Sequence, residues 1–516
     1  MSATLPAAAP AELSPKPPEP LPTPLRMLLL LGLFAVPLLA VLQPGVDWDL
    51  WWHLRVGQWV VDHGTVPTTD PFSFHGRSQG WVAYSWLFEV IVYGLDRVFG
   101  LYGPLVYAAV LSLAVMAAVY RLIARRQRHF LYGVALAAAV ALTLGMLFKQ
   151  RPWLFTILFS TLTLDALLDL RAGRKTRLLW ALPFCYVVWA NVHIQFVYGL
   201  ALLGLAVAAP ILDALLSRNP DADRLAWRHD PRWRTTVVLA VVCFLATLVN
   251  PYHVRLYGVV LEYAGQPGPY RWVSELRAPE FRGEVCEWLM LGLFAASAFA
   301  LGRRSAGAGL PRPFSSFDVL LLAGAGLFAF RARRDVWCVA VAAAAMLSTT
   351  GPAVVPPAQR FRLTRPRLAV LAVGVALLAL LIGVARRLTP ERLREGVAEH
   401  FPTGAAAFVR EQGYKGRLFN DFTWGGYLIH ETPDLAVVVD GRTNLHGDER
   451  TQRVASVWIG APGWRDDPDL SAADVVIANR EDALAELLLD DRRFKRVFED
   501  SQARVFVRRR GQSGEP

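Results

Sequence analysis

Residues 27–42 read MLLLLGLFAVPLLAVL, and residues 46–55, which follow almost at once, read VDWDLWWHLR. The first stretch carries no charge and approaches the roughly 20 apolar residues that a helix needs to cross a bilayer. In lipid every backbone amide must be bonded within its own segment, so this run predicts a membrane-spanning helix. The second stretch places two aspartates, Asp47 and Asp49, where the chain leaves the lipid.

The rest of the chain extends this pattern. Of its 516 residues 54% are hydrophobic and 19% charged, against roughly a quarter charged in soluble proteins. The sequence predicts a polytopic α-helical membrane protein with about eleven transmembrane helices and a C-terminal extracytoplasmic α/β domain. The predicted spans are 27–43, 101–123, 130–148, 153–170, 178–192, 195–216, 236–250, 285–301, 317–330, 335–350 and 368–385. The predicted domains are a disordered cytoplasmic tail (1–25), a transmembrane domain (26–388) that contains a first loop (44–100), the α/β domain (389–510) and a disordered tail (511–516).

The distribution of charge predicts the orientation. From residue 389 onward 18 Lys and Arg face 22 Asp and Glu, a net of −4, whereas the remainder carries 36 against 21, a net of +15. Basic residues concentrate in cytoplasmic loops, so the N-terminus is predicted on the cytoplasmic side of the membrane and the C-terminal domain on the outer side. The clusters that set this path lie at 121–128, 171–177, 218–234, 303–304 and 360–367. The basic excess thus indicates topology and not nucleic-acid binding.

Two basic patches fall on the predicted outer side, in very short connections at 149–151 and 331–334. Arginine binds phosphate through its two-pronged guanidinium. The candidates for holding the phosphate of a lipid-linked donor are Arg151, Arg331, Arg333 and Arg334. The alternative is that these residues only extend their charges to the membrane surface or mark a span placed wrongly.

The first loop carries the candidate catalytic residues Asp47, Asp49 and His53. Asp49 is predicted to cap a helix that begins at Leu50, which places His53 one turn further on the same face. A carboxylate at the membrane face can accept the proton of an acceptor hydroxyl, and Asp47 and Asp49 together could hold a divalent metal such as Mg or Mn. The alternative is a capped interfacial helix whose tryptophans form an aromatic belt and whose acids do no chemistry.

This arrangement resembles the C-type glycosyltransferase superfamily, polytopic enzymes that use polyprenyl-phosphate sugars and carry an essential aspartate in the first outer loop. The spacing of Asp49, Gly64 and Pro67 is similar to that of the lipid A aminoarabinose and protein mannosyl transferases. The loop resembles a bacterial branch more closely, through Asp-x-Asp-x-Trp-x-His-x-x-x-Gly at 47–57 and Asp-Pro-Phe-Ser at 70–73. The resemblance implies that Asp49 is the essential acid and Asp47 its companion. Leu50 stands where the aminoarabinose enzymes have a glutamate.

Further polar residues are predicted on the same side of the membrane as Asp49. They form a candidate polar cluster of Asn191, His193, His253, Glu275 and Glu280. The alternative for each one is structural, because polar side chains at span ends often bond the backbone groups that helix termini leave free.

The C-terminal domain is predicted to contain helices at 404–411 and 482–489 and strands at 417–420, 437–440, 475–478, 495–498 and 503–507. Its run FNDFTWGGYLI at 419–429 resembles the Trp-Trp-Asp-Tyr-Gly region of oligosaccharyltransferases, which recognises the acceptor. The resemblance implies acceptor binding by Asp421, Trp424 and Tyr427, with Asp440 at the end of a later strand. The alternative is a tight turn at residues 425–426 and a structural Asp440.

The leading hypothesis is therefore a membrane glycosyltransferase that moves a sugar from a polyprenyl-phosphate carrier to an extracytoplasmic acceptor. A transporter or flippase of lipid-linked glycans is the first alternative, and it requires polar residues at depth in the membrane. Its candidates are Asp165, Asp169 and Asp213. A non-catalytic cell-envelope protein is the second alternative, and it requires the first-loop acids to be dispensable.

Overall fold

The computed structural model describes residues 23–42, 47–217, 223–305, 315–350, 374–375, 379–380, 382–384, 386 and 388–509. Several predicted features fall wholly or mostly outside the described residues. These are the N-terminal tail, the span at 368–385, the C-terminal tail and the basic cluster at 360–367. Residues 23–25, the last three of the predicted N-terminal tail, are described and belong to the first helix.

The chain up to residue 350 is helical wherever long apolar runs were predicted. In chain order its helices are α1 Thr23–Val41, α2 Leu50–His63, α3 Trp86–Phe99, α4 Tyr102–Ala124, α5 Phe130–Thr143, α6 Trp153–Arg171, α7 Leu178–Val192, α8 Phe196–Leu215, α9 Pro231–Thr247, α10 Arg255–Gly265, α11 Pro269–Trp272, α12 Val285–Ser305, α13 Ser316–Arg331 and α14 Val336–Leu347. We refer to this part of the molecule as the helical part.

Each of the first ten predicted spans coincides with one of these helices, displaced only at its ends. By length and apolar composition, α1, α4, α6, α8 and α12 are able to cross a membrane, whereas α5 and α7 are shorter apolar helices. The span predicted at 236–250 starts earlier, at Pro231, because Asp230 caps the helix by accepting the Arg232 N–H at 2.8 Å. Pro231 suits the first turn because its missing N–H would have no helical partner there.

The first loop is a helical hairpin of α2 and α3 and not an open loop. The helices approach closely at Gly57, where an added Cβ would lie 2.1 Å from the backbone oxygen of Glu89. Only glycine leaves room for this contact, because every other residue would place a Cβ atom there. Leu54 and Val56 of α2 and Phe88 and Val92 of α3 are buried in the same core as α4.

The C-terminal domain is a mixed sheet with strand order β2-β1-β3-β5-β4. Its strands are β1 Gly416–Asn420, β2 Leu435–Val437, β3 Val475–Asn479, β4 Phe494–Glu499 and β5 Ala503–Arg508. β1 runs parallel to β2 and β3, whereas β5 runs antiparallel to β3 and β4. The accompanying helices are α15 Pro390–His400, α16 Thr403–Glu411, α17 Gly425–Glu431, α18 Thr443–Trp458, α19 Pro468–Ala472 and α20 Ala483–Leu487.

Two predicted elements of this domain differ in extent. The strand predicted at 437–440 ends at Val437, because Asn420 takes the next backbone partners with its side chain. The Asn420 amide accepts the Val438 N–H at 3.0 Å and donates to the Val439 oxygen at 2.9 Å. The helix predicted at 482–489 covers only Ala483–Leu487.

The first loop extends the sheet of the C-terminal domain. Ser73 pairs in parallel with Val437 beside β2. The Phe74 N–H donates to the Val437 oxygen at 3.1 Å, and the Val437 N–H donates to the Phe72 oxygen at 3.3 Å. The C-terminal end of β2, at Val437, is therefore paired with the first loop, which joins this loop to the domain.

Aromatic side chains fill the contact between α2 and the domain. Trp51 packs edge-on against Tyr427 with ring centroids 5.0 Å apart, and Phe401 stacks on Tyr427 at 4.9 Å. Trp51 and Trp52 are both buried. The predicted aromatic belt is therefore wrong for these two residues, because a protein surface covers them in place of lipid headgroups. Edge-on and offset pairs of this kind add to the stabilisation from burial.

Candidate active site

Asp49 stands at the start of α2, with its side chain turned away from the helix end. Its carboxylate caps no α2 amide, so the predicted capping bond is wrong. The Asp49 N–H instead donates to Asp47 Oδ1 at 3.0 Å, and the Asp49 carboxylate pairs with Arg151. Burial raises the pKa of Asp49, and the carboxylates of Asp47 and Glu275 raise it further, while Arg151 opposes them. A carboxylate with a raised pKa binds a proton more readily, which is the property that a general base needs.

Arg151 lies in the turn between α5 and α6 and joins the acids of the first loop. Its Nε lies 2.8 Å from Asp47 Oδ1, and its Nη1 pairs with Asp49. Its Nη2 lies 4.0 Å from Glu275 Oε2. Although burial opposes its charge, Asp47 and Asp49 outweigh burial and raise the pKa of Arg151 well above its ordinary value. Arg151 therefore stays a cation beside three carboxylates.

His53, one turn along α2 from Asp49, is held by a residue that sequence reasoning does not identify. Its Nδ1 lies 3.2 Å from Glu89 Oε1, and both side chains are buried. Burial raises the pKa of Glu89 to about 8 and lowers the pKa of His53 well below its ordinary value. Both groups are therefore uncharged near neutral pH. The only sequence signal for Glu89 is a single acid within the apolar run 86–92.

A cavity of about 610 Å³ lies between the helical part and the C-terminal domain. It is where the structure brings together candidates from distant parts of the chain. The predicted site residues that line it are Asp49, His53, Arg151, His193, Glu275, Arg334 and Asp421. Asp47 lies at its edge through its bond to Arg151.

Arg334 is the second arginine in the wall of this cavity. In the described part of the chain its buried Nε has no hydrogen-bond partner. Its backbone N–H donates to the Glu275 oxygen at 2.9 Å, which fixes the turn that carries it. Burial opposes its charge, but Asp335 and Glu275 outweigh burial and raise the pKa of Arg334. The cavity thus contains a cation with donor capacity left for an anionic ligand.

Arg331 and Arg333, the other two predicted phosphate-binding residues of this turn, do not line the cavity. The Arg333 Nε lies 2.7 Å from Glu287 Oε1. The Arg331 guanidinium lies over the ring of Tyr270, 4.4 Å from its centroid. Both cations are held by partners within the helical part, so their predicted role does not agree with their placement.

The predicted polar cluster divides in the structure. His193 and Glu275 line the cavity, and His193 Nδ1 lies 2.7 Å from Thr156 Oγ1. Asn191 lies away from the cavity and bonds two other elements, accepting the Trp86 indole N–H at 2.8 Å and donating to the Val249 oxygen at 2.8 Å. Its role is therefore structural.

His253 and Glu280 are also away from the cavity. His253 is exposed, with its Nδ1 3.0 Å from the Leu248 oxygen. Glu280 is exposed and lies 3.7 Å from Arg277. Of the five residues predicted on the same side of the membrane as Asp49, only His193 and Glu275 therefore line the cavity, because position at a span end does not determine the direction of a side chain.

The predicted acceptor-binding residues divide in the same way. Asp421 lines the cavity, where its carboxylate accepts the Thr423 N–H at 2.8 Å. Both Trp424 and Tyr427 are buried, so direct contact with an acceptor is not compatible with this arrangement. Tyr427 packs against Trp51 of α2, whereas the Trp424 indole N–H donates to the His400 oxygen at 3.0 Å within the domain. Asp440 is fully buried too, with Oδ2 2.6 Å from Arg442 Nη2.

Asp440 belongs to a buried ion network that reaches the first loop. Its Oδ2 lies 3.0 Å from His446 Nε2, and Arg442 Nη1 lies 2.7 Å from Asp70 Oδ1. Burial alone would raise the pKa of Asp440, but Arg442 and His446 outweigh it and hold the pKa below its ordinary value. The motifs at 70–73 and 440–444 therefore meet, which their sequence positions do not reveal.

Gly441 brings the same segment against the catalytic candidates. A Cβ added at Gly441 would lie 2.1 Å from Asp49 Oδ1 and 3.3 Å from Trp52 Nε1. The C-terminal domain thus forms part of the immediate surroundings of Asp49.

The arrangement of the first-loop acids does not fit a resident divalent metal. The site is centred on Arg151, whose guanidinium already bonds both Asp47 and Asp49. No group of three or more His, Cys, Asp or Glu side chains is placed to hold a metal ion within the described residues. The predicted Mg or Mn ligands are therefore engaged by a protein cation.

The three carboxylates that were candidates for a transport function also have protein partners. Asp165 Oδ1 lies 2.6 Å from Arg126 Nη1, and Asp169 Oδ2 lies 2.6 Å from Arg125 Nη2. Asp213 accepts the Ser316 N–H at 2.8 Å. These acids connect neighbouring helices and do not line the cavity.

Comparison with solved structures assigns the fold. An archaeal oligosaccharyltransferase, AglB from Archaeoglobus fulgidus in complex with an inhibitory peptide and a dolichol-phosphate, aligns with a TM-score of 0.53 over 87% of this chain and 69% of that one, at 11% identity. The Archaeoglobus fulgidus oligosaccharyltransferase in complex with Zn and sulfate gives 0.52 over 88% and 68%, also at 11% identity. The chain therefore shares the fold of these archaeal oligosaccharyltransferases.

The alignment with ArnT from Cupriavidus metallidurans in the apo state covers 93% of this chain and 97% of that one at 14% identity. Its TM-score of 0.33 is too low to indicate a shared fold. No protein-family model matches the sequence, and no curated protein sequence matches it.

Proposed function

We propose that this protein is a membrane glycosyltransferase that moves a sugar from a polyprenyl-phosphate-linked donor to an extracytoplasmic protein, lipid or glycan acceptor. The observation that carries the proposal is the cavity in which Asp49 and Arg334 both lie. Asp49 supplies a carboxylate for the acceptor, and Arg334 supplies a cation for the donor phosphate. The dolichol-phosphate and peptide bound to the archaeal oligosaccharyltransferase support both kinds of ligand.

In the proposed reaction the acceptor hydroxyl attacks the anomeric carbon of the donor sugar while the bond to the phosphate oxygen breaks. Asp49 accepts the hydroxyl proton, and its raised pKa suits this role. Arg334 stabilises the negative charge that collects on the departing phosphate. Attack on the face opposite the phosphate inverts the anomeric configuration, and the transferred sugar is a hexose or pentose. No step passes through a metal ion.

Other cavity residues take supporting roles in this proposal. Asp47 and Arg151 hold Asp49 in place, and His53 and His193 offer polar contacts for the sugar. Asp421, at the domain side of the cavity, binds the acceptor. Three residues outside the cavity support the domain. Tyr427 packs against α2, Asp440 holds Arg442 beside Asp70 of the first loop, and Trp424 bonds His400 within the domain.

We also propose the topology that this chemistry requires. The chain crosses a bacterial inner membrane about eleven times, with the tail 1–25 in the cytoplasm and the first loop and domain 389–510 outside. An alkaline phosphatase fusion after residue 390 is expected to be active, because that enzyme folds only outside the cytoplasm. An inactive fusion that is stably expressed contradicts this orientation.

The function is tested by transfer assays with purified protein in detergent and a panel of radiolabelled polyprenyl-phosphate hexoses and pentoses. The variant D49N is expected to lose at least about 100-fold in rate through loss of the general base. R334Q is expected to lose about 100- to 1,000-fold through loss of phosphate stabilisation. E280Q, which removes an exposed acid away from the cavity, serves as the matched control. Full activity of a folded D49N variant contradicts the proposal.

A further inference from the structure

Arg151 lies in a turn and has three acidic neighbours. It presents Nε to Asp47 and Nη1 to Asp49, and its Nη2 lies 4.0 Å from Glu275. The Arg151 side chain is 13% exposed and Asp47 is 7% exposed, so solvent screens this cluster little. The cluster thus holds three carboxylates around a single cation.

The turn that carries Arg151 is itself fixed. The Tyr107 hydroxyl donates to the Arg151 oxygen at 2.9 Å, and the Arg151 N–H donates to the Lys149 oxygen at 2.8 Å. The guanidinium also lies over the ring of Trp153, 5.3 Å from its centroid. These contacts fix the backbone and one face of the side chain, so the guanidinium is part of the site and not a mobile surface charge.

We propose that Arg151 takes the place of a divalent cation at the acids of the first loop, so that the site works without a bound metal. This inference deepens the proposed function and rests on it for its catalytic meaning. The oxygens that these acids offer a divalent ion are those of Asp47 and Asp49, and Arg151 already forms ion pairs with both carboxylates. The ion would also lie within a few ångströms of a buried guanidinium, where charges of like sign repel strongly.

As a positioning residue, Arg151 also fixes the direction of the Asp49 carboxylate. It binds Oδ2, while Oδ1 faces Gly441 so closely that a Cβ there would lie 2.1 Å away. A planar guanidinium determines orientation better than a spherical ion does, because its N–H groups point in set directions.

The test measures binding of Mn²⁺ to the purified full-length protein by electron paramagnetic resonance. The wild-type protein is expected to bind no Mn²⁺ at the first-loop acids. R151A is expected to gain one Mn²⁺, since Asp47, Asp49 and Glu275 are then left without their cation. R151K, which keeps the positive charge, is the matched control and is expected to bind none. The double variant R151A/D49N is expected to lose the gained site.

Two results overturn the inference. One is stoichiometric Mn²⁺ binding by the wild-type protein that D49N removes, a result that requires no Arg151 variant to fold. The other is a folded R151A variant that gains no Mn²⁺ site. Neither measurement involves sugar transfer, so failure of this inference is distinguishable from failure of the proposed function. As a second readout, transfer by the wild-type protein is expected to be unchanged after dialysis against EDTA, and a loss restored by Mn²⁺ contradicts the inference.

Discussion

Arg442 of the C-terminal domain bonds Asp70 of the first loop, with 2.7 Å between Nη1 and Oδ1, although the two residues are 372 positions apart in the sequence. Both side chains are almost fully buried. The Arg442 guanidinium also lies over the rings of Trp81 and Phe72, with its central carbon 4.8 and 5.4 Å from their centroids. The first loop and the domain are therefore joined by a desolvated ion pair and not only by apolar packing.

Removing one partner of this pair leaves a buried charge uncompensated, which typically costs about 3 to 5 kcal/mol. We expect R442M to lower the free energy of unfolding by about that amount and to expose the first loop to protease. R496M is the matched control, because Arg496 pairs with Glu499 at an exposed position and such pairs contribute at most about 1 kcal/mol. Equal stability of the two variants in thermal unfolding contradicts the expectation.

G441A tests the contact between the domain and Asp49. The added methyl group would meet the Asp49 carboxylate at 2.1 Å, so Asp49 has to move. A displacement of about 1 Å at a reacting group costs roughly 100-fold in rate, and we expect a loss of that size in the transfer assay. G94A, where nothing lies within 4 Å of the added methyl group, is expected to retain full activity.

Glu89 predicts a specific pH dependence of stability. Its pKa is about 8 in the folded protein against 4.5 ordinarily. Between these values the unfolded chain has released the proton and the folded protein still binds it. The free energy of unfolding therefore falls as pH rises through this window, by on the order of 4 kcal/mol, and this contribution is constant below and above it. Thermal unfolding from pH 4 to 9 is expected to show a smaller fall for E89Q, and identical slopes contradict the assignment.

Asp421 is the predicted acceptor-binding residue that remains in the cavity. We expect D421N to raise the KM for the acceptor while leaving the KM for the lipid-linked donor and the melting temperature near wild type. D434N is a matched control, because Asp434 is exposed and pairs with Lys415 elsewhere on the domain. A D421N variant with an unchanged KM for the acceptor excludes Asp421 from acceptor binding.

Sequence reasoning predicts well what depends on local composition. The positions of ten apolar helices and the start of α2 at Leu50 follow from apolar runs and turn residues that are local in the sequence. The position of Asp49 directly after the first span is likewise a local property.

Sequence reasoning does not predict which side chains meet across the fold. Arg151 was expected to bind phosphate, but its turn places it between Asp47 and Asp49. Glu89 reads as one acid in an apolar run, because its partner His53 lies 36 residues away on another helix. Trp424 and Tyr427 resemble a recognition motif, yet both are buried, with the Tyr427 ring packed against Trp51 of α2 and the Trp424 indole bonded to His400.

The pairing of Ser73 with Val437 at the edge of β2 has a consequence for modularity. An unpaired strand edge is a template for adhesion between chains, and here the loop that carries the candidate catalytic acids pairs with the end of that edge. The C-terminal domain and the first loop are therefore structurally interdependent. A chimaera that exchanges the domain with that of another protein requires the matching segment 70–74 as well, or the transplanted sheet is left with an open edge.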